Sequence, residues 1–137
     1  MLEKLSVSNP SKVNEYLEKT KNVEGTVGRN VKIKWLEVAY NSSHDKKYTD
    51  QLVAYSTNSY EFRTRSNAME ALKKFGYFDH AFMEALIEAS LSPNGRLNGP
   101  AKATLKYFCT QVNYKKMYDD YIASKKWDSW QKKMLEN

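Results

Sequence analysis

A chain of 137 residues with 41% hydrophobic and 13% aromatic content is long enough to bury one core without a staple, and five Gly and three Pro leave little room for long irregular loops. One cysteine, Cys109, rules out an internal disulfide and a thiolate metal cluster, and it suits a reducing compartment, so a cytoplasmic setting is the expectation. The formal charge of +6 is concentrated late: residues 102–137 hold 8 basic against 4 acidic side chains, a surplus that reads as a solvated helix face and does not favour nucleic acid as a partner.

The start Met1-Leu2-Glu3-Lys4 lacks the apolar run of a secretory signal, and no stretch reaches the roughly 18 apolar residues that span a bilayer, so no membrane partner is expected. Asn9-Pro10 predicts a helix start, since Asn caps an orphan N–H and Pro at the first helical position forfeits nothing. Val13, Tyr16 and Leu17 then share one face.

Beyond a turn at Gly25 to Gly28, the run Val31, Ile33, Trp35, Leu36, Val38, Ala39 alternates at first like a strand. Its continuation and its helical neighbours favour a buried helix ending at Asn41-Ser42-Ser43. Asp45 opens the next helix, through Tyr48, Leu52, Val53 and Tyr55, stopped by Thr57-Asn58-Ser59. A third runs from Tyr60 to Phe75 with Phe62, Ala68, Met69, Ala71 and Leu72 on its apolar side, and Gly76 stands where a left-handed cap belongs.

Asp79 caps a helix bearing Phe82, Met83, Leu86, Ile87 and Ala89, closed by Ser92-Pro93-Asn94-Gly95. Arg96 to Val112 predicts another, with Ala101, Leu105 and Phe108 inward and Gly99-Pro100 close enough to its start for the missing N–H to be harmless. Asn113 begins a helix through Met117, Tyr118, Tyr121 and Ile122, and Trp127, Trp130, Met134 and Leu135 mark a short terminal one.

Sliding the chain on itself by 33 residues aligns Ser59 with Ser92, Arg63 with Arg96, Ala68 with Ala101, Leu72 with Leu105, Lys73 with Lys106 and Phe75 with Phe108. A weaker echo at 36 relates Arg29 to Arg65 and Leu36 to Leu72. Periods of this size signal stacked helix pairs, because one pair cannot cover its own apolar face. The expected fold is therefore all-α: an α-α superhelix of about three to four antiparallel pairs over 1–137 as a single helical-repeat domain. Its unit resembles the HEAT repeat, whose second helix often opens with an Arg and carries an Ala-x-x-x-Leu step like Ala68 to Leu72. The Trp-Leu-Gly and Pro landmarks of tetratricopeptide repeats are missing.

No His-Glu-x-x-His, Gly-rich phosphate loop or Cys-x-x-Cys occurs. The chain is therefore expected to carry no catalytic or metal-ligating constellation of its own. His44 and His80 sit beside Asp45 and Asp79 as surface or capping residues, Cys109 reads as an inert core thiol, and Glu84 and Glu88 as a solvated face. Arg63, Arg65 and Arg96 are the candidate anion- or partner-binding residues. Arg63 and Arg96 occupy equivalent repeat positions and would form a short ladder, serving either as struts between repeats or as forks for a carboxylate, phosphate or acidic partner.

Lys34-Trp35-Leu36, the polar turn, the helix through Leu52 and Ala54 and then Phe62-Arg63-Thr64-Arg65 together resemble the C-terminal helical domain of the M1-family zinc aminopeptidases, those related to leukotriene A4 hydrolase. The likeness is carried mainly by residues 29–75. It implies a fragment of a larger multidomain metallopeptidase: a non-catalytic domain packed on a separate catalytic domain and lining its cleft, with zinc held in that other domain and no cofactor here. The family's carboxylate-recognising basic residues fall just before the Thr-Arg step. Tyr60 and Phe62 stand at those positions, which leaves Arg63 to supply a cation to a peptide substrate.

Two other readings share the fold. One is a freestanding HEAT-like scaffold for protein–protein interaction; the other is a DNA-binding module like the HEAT-like alkylpurine glycosylases, with lysines from Lys102 to Lys133 on phosphates and Trp127 or Trp130 near a base.

Overall fold

A computed structural model describes residues 25–136 of the chain. The helix expected after Asn9-Pro10 lies outside the described residues. Among the described residues seven helices follow in order: α1 Thr26–Ser43, α2 Lys46–Tyr55, α3 Phe62–Phe75, α4 His80–Ser90, α5 Gly95–Phe108, α6 Val112–Ala123 and α7 Ser129–Glu136. Among the described residues there is no strand. No helix among them is long and apolar enough to cross a membrane.

Local chemistry sets most of the boundaries. The Asp45 carboxylate accepts from the Lys47 N–H at 3.0 Å, and the Asp79 carboxylate from the Phe82 N–H at 2.8 Å. Each satisfies one of the orphan donors of a first turn. Asn94 caps α5 in the same way through the Arg96 N–H. At the end of α3, Gly76 takes φ 68°, and the Tyr77 N–H reaches back to the Leu72 carbonyl at 3.0 Å. This closure needs a left-handed residue, which glycine adopts without a Cβ penalty.

His44, expected as a surface or capping residue, closes α1 at φ 55°. Three expectations shift. The turn expected through Gly28 ends earlier: Gly25 is the left-handed residue, with φ 91°, and Gly28 is already inside α1. The helix expected from Arg96 to Val112 stops at Phe108, because Cys109 and Thr110 turn the chain and Val112 starts α6. Pro100 is the sixth residue of α5, past the turn whose N–H groups are orphaned, so the Arg96 carbonyl loses its intrahelical donor.

The core runs through the middle of α1 to α5. Ile33, Leu36, Leu52, Ala68, Met69, Leu72, Phe82, Met83, Leu86, Ala101 and Phe108 are all buried in it. Helix α1 packs on α2 and α3, α3 on α2 and α5, and α4 on α5 and, less extensively, on α2 and α7. Contacts between α1 and α3 run in register along both helices: Asn67 donates to Asn30 at 2.8 Å near their starts, and Tyr40 meets Phe75 at 4.5 Å between ring centroids near their ends. Lys73 over the Tyr107 ring, 5.2 Å from its centroid, ties the last turns of α3 and α5. These pairs lie 37, 35 and 34 residues apart in sequence, close to the 33- and 36-residue offsets without matching either.

Phe108 is the hub at the C-terminal side, with Phe78 at 4.8 Å, Tyr114 at 5.9 Å and Phe82 at 6.2 Å, mostly in edge-on or tilted contact. Helices α6 and α7 bury no residue fully; they lean Tyr114, Met117, Tyr118, Ile122 and Leu135 against that core.

Candidate functional site

The three candidate arginines separate by helix face. Arg65 lies on the stripe of Ala68, Met69 and Leu72 at helical spacing, so its side chain is carried into the core, where it is 5% exposed. Its Nε donates to the Ser56 carbonyl at 2.9 Å, satisfying the end of α2, and a terminal nitrogen donates to Glu88 on α4. One guanidinium thus joins three helices. Asn98, the residue 33 positions later, also turns a side-chain donor back on a preceding carbonyl, that of Ser92 in the loop after α4, at 2.7 Å.

Arg63 and Arg96 are the second residues of α3 and α5, and both are exposed. Arg63 stacks over its neighbour Phe62, 5.7 Å from the ring centroid. Neither has a carboxylate partner among the described residues. Both stand in a first turn whose N–H groups are already capped, by the Glu61 carboxylate at α3 and by the Asn94 side chain at α5, so what each offers an anion is its guanidinium.

Two residues that sequence reading did not single out complete this end. Arg29 on α1 donates through Nε to the Thr64 hydroxyl at 3.1 Å, and a terminal nitrogen stands 3.5 Å from the Glu61 carboxylate. Its guanidinium also lies 5.4 Å from the Tyr60 ring centroid. The echo at 36 residues, pairing Arg29 with Arg65, was the available signal that both would bridge helices. Glu61 caps α3, accepting from the Arg63 N–H at 2.8 Å, the Thr64 N–H at 3.1 Å and the Thr64 hydroxyl. Burial pushes the Glu61 carboxyl upward, but the Thr64 hydroxyl, the two N–H groups and Arg29 outweigh it, and the net shift is downward.

The remaining polar candidates do not converge. His44 packs edge-on against Tyr40, while His80 pairs with Glu84 at 3.2 Å and meets Tyr121. Glu88 is committed to Arg65, so it is a strut rather than a merely solvated carboxylate. Among the described residues no group of three or more His, Cys, Asp or Glu is placed to hold a metal ion. Along α6, Lys115 and Lys116 are paired with Asp119 and Asp120 one turn on, which dilutes the basic surplus. Trp127 donates to the Ile122 carbonyl at 2.8 Å and closes α6, whereas Trp130 is exposed. Cys109 is half-buried, and burial pushes its thiol upward.

No family model, curated protein or solved structure matches the chain.

Proposed function

We propose that the chain is a non-catalytic, HEAT-like scaffold: an α-α superhelix in which α1, α3 and α5 form one layer and α2 and α4 the other, with an exposed arginine edge that holds an acidic segment of a partner protein. The observation that carries this reading is the placement of Arg63 and Arg96 at equivalent, exposed positions at the starts of two helices that pack on each other. Short loops, residues 76–79 and 91–94, reverse the chain twice between α3 and α5, so the two helices run in the same direction and their starts share one end. Arg29 and Arg65 already serve as struts, which leaves Arg63 and Arg96 available to a ligand.

Fluorescence anisotropy of a labelled Glu-rich peptide titrated with the full chain tests this. Reversing both arginines, R63E with R96E, should weaken binding at least about 10-fold, whereas K132E with K133E, an equal change of charge on α7, should leave it nearly intact. Equal loss in both variants would reduce the edge to non-specific attraction.

A further inference from the structure

Helix α5 carries Lys102, Leu105, Lys106 and Cys109 at helical spacing, on a face shared with residues of α6 and α7. There they line a cavity of about 120 Å³, completed by Tyr118 of α6, Leu135 of α7 and Ser90 at the end of α4. Leu105, Leu135 and the Tyr118 ring make its walls mostly apolar. The Ser90 hydroxyl is spent on the Leu86 carbonyl at 2.7 Å, so it offers no free donor. The Cys109 thiol, pushed upward by burial, adds an uncharged wall. No carboxylate lines the cavity, and the charges at its margin are two ammonium groups.

Size narrows the occupant. A dry apolar cavity of about 150 Å³ accepts benzene, so the walled part of this open-sided cavity fits one small ring or a short alkyl chain. Lys102 is half-buried and lines the cavity, the setting in which a long cationic side chain covers apolar surface with its stem and keeps its charged head in water. An inorganic anion would leave the apolar walls unused, and a neutral hydrocarbon would leave the Lys102 ammonium unused.

We propose that this cavity binds a small monocarboxylate, its short apolar body seated among Leu105, Tyr118 and Leu135 and its carboxylate at Lys102. The site lies apart from the Arg63 and Arg96 edge and stands or falls independently of the scaffold reading.

Cys109 is the only cysteine in the chain, so its alkylation by iodoacetamide reports on the cavity directly. Hexanoate should slow alkylation saturably in the millimolar range expected of so small a ligand, with hexanol, the same body without the charge, about tenfold less effective. In K102Q the advantage of hexanoate over hexanol should disappear while protection by hexanol persists, and K102R should keep the advantage. Methyl NMR of the full chain should show Leu105 and Leu135 shifting with the same saturation curve. Absence of protection, equal protection by both molecules in the unaltered chain, or protection without those methyl shifts would each overturn the assignment.

Discussion

Arg65 on α3 reaches Glu88 on α4 while its Nε holds the Ser56 carbonyl at the end of α2, so a single buried guanidinium fastens three helices. The two partners contribute unequally, because the Arg65 side chain is 6% exposed and that of Glu88 is 49% exposed. Arg65→Met should cost about 3 kcal/mol, from an orphaned carbonyl and an unpaired acid. Glu88→Gln keeps a hydrogen-bond acceptor at a half-exposed position and should cost about 1 kcal/mol or less. Urea denaturation of both variants measures the difference, and similar costs would contradict the division of roles.

Glu61 makes the stability of α3 depend on pH. Its carboxyl is a stronger acid in the folded chain than in the unfolded one, so the unfolded state binds more protons and stability falls as pH drops through the carboxylate range. The contribution is complete above the unfolded value of about 4.3 and disappears as the pH falls through the lower folded value. Glu61→Gln should therefore lower the urea midpoint at neutral pH, and the gap from the unaltered chain should close in acid. A gap that is constant with pH would mean that the bonds to Thr64, Arg63 and Arg29 do not favour the ionised form.

Backbone substitutions at two sites should act in opposite directions. Pro100→Ala restores a donor to the Arg96 carbonyl in the interior of α5 and should stabilise the chain by about 1–3 kcal/mol. Gly76→Ala meets no atom within 4 Å but must hold φ 68°, and should destabilise by about 1 kcal/mol through conformation alone. Thermal unfolding of the pair checks both signs.

Helix positions were legible wherever the determining chemistry is local. Asp45 and Asp79 cap by reaching two or three residues along the chain, and Gly76 ends α3 by its own permitted torsion, so each could be read from neighbours in sequence. Glu61 escaped because Glu is not among the favoured capping residues; Thr64 and Arg29 hold it there, and Arg29 is far away in sequence.

Among the arginines, grouping Arg65 with Arg63 and Arg96 missed a periodicity already present. Positions 65, 68, 69 and 72 form one stripe, and a guanidinium on that stripe must go inward and find partners. Position 63 is off the stripe and faces water. The end of α5 was misjudged because Cys109 and Val112 are compatible with helix; their departure follows from how α6 folds back, placing Tyr114 on Phe108.

If the 33-residue sequence period is also a spatial period, residues 63 and 96 stand side by side at one end of α3 and α5. With Cys109 replaced by Ser and spin labels at R63C and R96C, packed parallel helices about 10 Å apart should give strong dipolar broadening relative to either single label. A doubly labelled spectrum that is simply the sum of the two singly labelled ones would contradict it.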